Sequence, residues 1–143
     1  VLADVKAYQA TIRFGAETDT GDREGQVSRE AALPVIDDSR IEASLARFRG
    51  TIRQTPPVYS AIKQQGMPLY ALARQGIAVE APERTVEIHA LTVIAQSRTL
   101  DLPPRLIELE VSVTCGSGTY IRSLAQDIGR ALDSAAHLVA LRR

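Results

Sequence analysis

Residues 6–14 alternate in polarity. Tyr8, Ala10, Ile12 and Phe14 fall on one side of an extended chain, and Gln9, Thr11 and Arg13 on the other. A period of two predicts a strand with one buried face. The pattern is clearest at 107–115, where Ile107, Leu109, Val111, Val113 and Cys115 alternate with Glu108, Glu110, Ser112 and Thr114. Val86 to Ala95 predicts a further strand, and His137 to Leu141 a last short one. Elsewhere the spacing is helical. Ile41, Leu45 and Phe48 follow Asp37-Asp38-Ser39, a capped amphipathic helix closed by Gly50. Ile121, Leu124, Ile128 and Leu132 predict a helix after Gly116-Ser117-Gly118, and Pro68 to Gln75 a shorter one with Pro68 in its first turn and Gly76 at its end. Gly15 to Gly25 reads as a loop and 99–105, with Pro103-Pro104, as a turn. Thr51 to Gln54 is a short extended piece, and extension through 54–58 follows from Pro56-Pro57. This order of strands and helices predicts an α+β domain.

Composition narrows the class. The chain has 143 residues, 45% hydrophobic and 24% charged, enough for one globular core. No apolar run approaches the roughly 18 residues of a membrane helix, and nothing near Val1 reads as a signal peptide. The single Cys115 excludes an internal disulfide and a Cys-based zinc cluster, so a reducing, cytoplasmic setting is expected. The start at Val1 and the stop at Leu141-Arg142-Arg143 suggest a piece of a longer protein.

Charge changes the picture more. The 17 basic and 17 acidic residues cancel, but they are segregated. Residues 1–39 hold four basic residues against eight acids, whereas 40–75 hold Arg40, Arg47, Arg49, Arg53, Lys63 and Arg74 against Glu42 alone. Residues 76–143 are nearly balanced. A basic middle segment is either a solvated face or a dock for a polyanion.

Several residues could carry chemistry. The Gly116-Ser117-Gly118-Thr119 turn joins a strand to a helix and could offer N–H groups to an anion, although it lacks a P-loop's Lys-Ser/Thr ending. Arg122 sits in the first helical turn, where the macrodipole disfavours a cation. It either faces solvent or meets a carboxylate. Tyr8 is a core aromatic or, like Tyr59, Tyr70 and Tyr120, a stacking platform. His89 and His137 have no acid or Cys at metal-ligand spacing and read as structural. Cys115 reads as an inert core thiol. Asp19 and Asp22, in Thr18-Asp19-Thr20-Gly21-Asp22, read as turn-makers bonded to their own backbone.

Longer strings go further. Lys6-Ala7-Tyr8 is followed by Thr18-Asp19-Thr20-Gly21-Asp22 with Gly25. Then come Pro57-Val58-Tyr59-Ser60-Ala61-Ile62-Lys63, Ala73-Arg74, Gly118-Thr119-Tyr120-Ile121-Arg122-Ser123-Leu124, and Ala136-His137-Leu138 with Leu141-Arg142-Arg143. In this order they resemble the bacterial TruB-type tRNA pseudouridine synthases over essentially the whole chain. The resemblance implies a mixed, mostly antiparallel sheet with flanking helices. It also implies isomerisation of the uridine at position 55 in the T loop of tRNA. The glycosidic C–N bond breaks, the base turns, and it rejoins through carbon, with no metal or other cofactor. A base held in the loop must first be flipped out to be reached. Tyr8 resembles the active-site tyrosine that stacks on the target base, and Arg122 the arginine that pairs with the catalytic aspartate. Tyr120 and Leu141 resemble pocket residues. Lys63 and Arg74 lie in 55–76, which resembles an RNA-gripping insertion. The implied partner is the T arm of tRNA, with no membrane or metal, and the complete protein is expected to be a monomer.

One departure is large. The family's nucleophilic aspartate lies in a Gly-x-Leu-Asp-Pro-x-Ala-Thr-Gly segment upstream of Lys-x-Tyr, and these 143 residues contain no such segment. The family's C-terminal RNA-binding domain is absent as well. The reading is therefore a partial catalytic domain over 1–143. The alternative is a truncated module that binds or remodels tRNA without catalysis. The 143 residues alone are expected to isomerise no uridine, because nothing replaces the missing carboxylate. Tritium release from a T-arm stem-loop carrying 5-tritiated uridine checks this, and turnover by the polypeptide alone would refute it.

Overall fold

The computed structural model describes residues 4–57, 63–64, 66–77, 82–96 and 106–143. The first predicted strand forms as β1 (Val5–Phe14). It continues into a hairpin of β2 (Ala16–Thr18) and β3 (Val27–Glu30). Helix α1 (Asp38–Ala46) follows, then β4 (Gly50–Gln54). A small unit of β5 (Lys63–Gln64), β6 (Met67–Pro68) and α2 (Leu69–Arg74) lies in the 55–76 stretch. The chain returns through β7 (Arg84–Gln96), β8 (Glu108–Gly116), α3 (Ile121–Ala131) and β9 (Ala136–Arg142). The five long strands make one antiparallel sheet in the order β4-β7-β8-β1-β9. The α+β expectation holds.

Periodicity explains the core. Ala10, Ile12 and Phe14 of β1 are buried beside Leu109, Val111, Val113 and Cys115 of β8. Ile41 and Leu45 of α1 and Ile121, Leu124, Ala125 and Ile128 of α3 join the same cluster. Each large aliphatic side chain removed from water contributes about 1.5–3 kcal/mol. On β7 a bulge between Ile88 and Ala90 shifts the phase, so Val86, Ile88 and then Leu91 are buried. Asp37 caps α1 by accepting from Ser39 and Arg40 N–H at 2.8 and 3.2 Å. Gly50 closes that region at φ +90°. Phe48 lies just past the helix and packs half-buried against the core. The 99–105 turn, and residue 58 of the extended 54–58 stretch, lie outside the described residues.

In the stretch read as a loop, Gly15 to Gly25, β2 occupies the start, and its partner β3 follows just past the end. The anchor of this hairpin is not periodic. The Glu17 side chain is 5% exposed and accepts from both Arg29 and Arg130. Arg29 also donates to the Ser134 carbonyl at 2.8 Å. Three segments meet on one buried carboxylate, and such a site has no local sequence signal. Burial alone would raise the Glu17 pKa. The hydrogen bonds from Arg130 and Arg29 overcome this and hold it at about 2, against an ordinary 4.5.

Two stability predictions follow from this packing. Because the folded pKa of Glu17 is depressed, its contribution is complete above about pH 4.5 and is lost as pH falls towards 2. Its arginines are 43% and 54% exposed, so solvent screening reduces the contribution to about 1–2 kcal/mol. Urea titrations should show Glu17→Gln less stable at pH 7, with the gap closing in acid; a pH-independent gap would contradict the assignment. The second concerns Gly129. Alanine normally stabilises a helix by about 1 kcal/mol relative to glycine. Here a Cβ would lie 2.6 Å from Ala136 Cβ and 2.7 Å from Ala136 N. Gly129→Ala should therefore destabilise by about 1–3 kcal/mol in the same titration, and a gain would show that β9 yields.

Candidate functional site

A cleft of about 450 Å³ opens where β1, β9, the start of α3 and the 19–24 loop meet. Tyr8, Tyr120, Arg122 and Leu141 all line it. These are four of the six site residues expected from sequence, and they come from three separated segments. Each is placed by its element. Tyr8 stands opposite Val113 on β1, half-buried on the core side. Leu141 lies opposite Ala10 on β9 and is 47% exposed at the mouth. Tyr120 is the residue at the start of α3, and Arg122 follows in the first turn.

Arg122 does not face open solvent. Its Nη1 donates to the Thr20 carbonyl at 2.9 Å and lies 3.9 Å from Asp22 Oδ2. The carboxylate called for by its place at a helix start is therefore met in part by Asp22. Gly21 permits this approach, since a Cβ there would sit 3.0 Å from Arg122 Cβ, and its φ is +83°. Asp19 and Asp22 are turn-makers as well. Asp19 accepts from Gln26 N–H at 3.0 Å, and Asp22 Oδ1 from the Thr20 hydroxyl and Glu24 N–H at 2.7 and 3.0 Å. Two backbone bonds, Arg23 N–H to Leu138 O and Leu138 N–H to Gly21 O, both 3.0 Å, tie this loop to β9. The sequence reading missed Asp22 as a cleft residue. The available signal was an acid in a loop and an arginine at a helix start, but nothing local joins residues 100 positions apart.

Other expectations are sharpened. In the Gly116–Thr119 turn the Ser117 N–H already donates to the Asp4 carbonyl, and just past the turn Tyr120 N–H donates to Gln54. Arg74 lies away from the cleft on α2, with its guanidinium 5.3 Å from the Tyr70 ring centre. Lys63 is on β5, and its side chain lies outside the described residues, as does Tyr59. The basic middle segment is also not one patch. Arg49 binds Glu42 and the Leu91 carbonyl, Arg53 lies 3.7 Å from Glu83, and Arg40 and Arg47 line a groove between α1 and α3. His137 is structural, with Nδ1 2.7 Å from the Ala16 carbonyl oxygen, and His89 is exposed. Burial pushes the Cys115 thiol up, which keeps it protonated.

The cleft thus has aromatic rings at Tyr8 and Tyr120, aliphatic walls at Ile121, Leu138 and Leu141, and a charged side made by Arg122 with Asp22, Arg23 and Glu24. That combination suits a flat ring with a polar edge. The family model for the N-terminal domain of TruB family pseudouridylate synthases matches residues 1–121. This chain belongs to the TruB family. It is 50% identical to tRNA pseudouridine synthase B of Xanthomonas campestris pv. campestris (strain B100) over all 143 residues, which cover 44% of that relative. It is 48% identical to the same enzyme of Gloeobacter violaceus, covering 99% of this chain and 47% of the relative. The chain therefore spans less than half the length of these curated relatives.

Among solved structures, a Cbf5–Nop10–Gar1 complex matches with a TM-score of 0.58 at 25% identity, over all of this chain and 30% of the other. An H/ACA ribonucleoprotein bound to a substrate RNA containing 2′-deoxyuridine shares the fold. Its TM-score is 0.54 at 22% identity, over 99% of this chain and 28% of that one.

Proposed function

We propose that these residues form part of the catalytic domain of a cytoplasmic tRNA pseudouridine synthase acting on the T-loop uridine at position 55. The observation that carries this is the convergence of Tyr8, Tyr120, Arg122 and Leu141 on one cleft with aromatic and aliphatic walls. The relatives named tRNA pseudouridine synthase B support the reaction and the substrate class.

In this reading the flipped uracil enters between the tyrosines, with Leu138 and Leu141 excluding water from its faces. Stacking on aromatic rings repays part of the cost of unstacking the base from the loop. The reaction is an isomerisation. The N1–C1′ bond breaks, the C5–C1′ bond forms, the proton on C5 departs and N1 takes one up, so no electrons are gained or lost. The Arg122 guanidinium, at the edge of the cleft, holds the nucleophilic carboxylate supplied by the Leu-Asp-Pro segment of the full-length protein. Thr20 and Asp22 fix the guanidinium from behind. Lys63 and Arg74 of the 55–76 unit contact the RNA backbone.

The test uses the full-length protein carrying these residues. On tRNA with 5-tritiated uridine it should release one equivalent of tritium per tRNA, and none when the T-loop uridine is replaced by cytidine. Arg122→Lys keeps the charge but loses the planar fork. It should lower the single-turnover rate by about 100-fold or more with little change in tRNA affinity. Tight tRNA binding without tritium release by the unmodified protein would instead support the non-catalytic module.

A further inference from the structure

The 55–76 unit leaves and rejoins the main sheet between β4 and β7. The last residue of β4, Gln54, stands opposite the first residue of β7, Arg84. This pair closes the stem of the unit. Directly opposed residues of an antiparallel pair project to the same face. Here both reach one residue, Tyr120.

Gln54 holds the Tyr120 backbone. Its side chain is 1% exposed. Its Nε2 donates to the Tyr120 carbonyl at 3.1 Å, and its Oε1 accepts from Tyr120 N–H at 2.9 Å. Only one orientation of the amide satisfies both bonds. The next residue adds a third contact, with the Ser123 hydroxyl donating to the Thr55 carbonyl at 2.8 Å. Arg84 holds the ring. Its guanidinium lies 5.7 Å from the Tyr120 ring centre. It passes under the Gly118 backbone, where a Cβ would come within 2.7 Å of Nη2. Its Nε is buried with no hydrogen-bond partner among the described residues. That leaves stacking on Tyr120 as its visible role there.

A buried amide spending both its bonds on one backbone residue is more than gap-filling. An apolar side chain would fill the same space without leaving a polar group to satisfy. The N–H of Tyr120, at the N-cap of α3, has no acceptor within the helix and would otherwise be an orphan. Two residues later in α3 is Arg122. The stem pair therefore sets both the aromatic wall and the helix end that carries the charged pole.

We propose that Gln54 and Arg84 are positioning residues. They lock Tyr120, and through it the start of α3, to the foot of the 55–76 unit, so that the unit's seat on the RNA and the geometry of the base cleft are fixed together. This rests on the uridine-isomerising reading above and adds two residues that do not line the base cleft.

The experiment compares full-length protein with Gln54→Leu, Gln54→Glu and Arg84→Met. Single-turnover rate, affinity for a T-arm stem-loop and thermal midpoint are measured, together with amide hydrogen exchange at Tyr120 and Ile128. Gln54→Leu should lower the rate about 10- to 100-fold, with affinity changed less than threefold at temperatures where the variant is fully folded. Arg84→Met should act in the same direction, about 3- to 10-fold. Gln54→Glu should be rescued at low pH. A protonated carboxyl both donates and accepts as the amide does, whereas the ionised form repels the Tyr120 carbonyl. Its rate relative to wild type should therefore fall as pH rises. Exchange at Tyr120 should speed at least tenfold in Gln54→Leu with Ile128, two turns further along α3, unchanged. Rates within twofold of wild type, or Tyr120 exchange that moves only in step with Ile128, would overturn the proposal. If the unmodified protein releases no tritium, the activity reading fails and the exchange comparison still decides whether Gln54 holds Tyr120.

Discussion

The packing of α3 against the sheet is the constraint on which the rest depends. Ile121, Leu124, Ala125 and Ile128 present one apolar stripe to the core. Gly129 lets the far end close onto Ala136 with no room for a side chain. Because α3 is short and fastened along its length, its first residues have little freedom. Tyr120 and Arg122 inherit their positions from this contact, and β9 returns from the helix directly into β1. The cleft lies where these elements converge, so its aromatic and aliphatic walls are extensions of the core.

Polar ties then refine what apolar packing places. The hairpin loop is bonded to β9 at Gly21 and Arg23, and it brings the Thr20 carbonyl and Asp22 up to Arg122. At the other end of the helix, Arg130 grips Glu17 of the same hairpin. The hairpin thus touches α3 at both ends, one contact closing the fold and the other orienting the charged pole. Burial of Glu17 is tolerated because two guanidinium groups replace its water, which is the usual condition for an ionised group in a core.

The electrostatic pattern is less simple than a basic segment meeting a polyanion. Arg49 is committed to Glu42 and a backbone carbonyl, Arg53 stands beside Glu83, and Arg84 stacks on Tyr120. Charge counted along the chain mixes residues committed to ion pairs and stacking with residues left on the surface. Within the basic stretch, Lys63 and Arg74 belong to the unit between β4 and β7, while Arg40 and Arg47 belong to a separate groove.

The strands β1 and β8, the helices α1 and α3, and the α+β class were legible in the sequence. Alternation and helical spacing are local and follow from which face must leave water. The strings around Tyr8, Tyr120, Arg122 and Leu141 were legible too, and the tertiary structure set them in one cleft. It alone decided that Asp22 faces Arg122, that Glu17 anchors β2, and that Gln54 and Arg84 converge on Tyr120. A buried polar side chain is specified by its partner, and these partners lie 12 to 113 positions away in the chain. Apolar burial needs only a face, which a short stretch of sequence can declare. Polar burial needs a named atom in the right place, and only the folded chain supplies it.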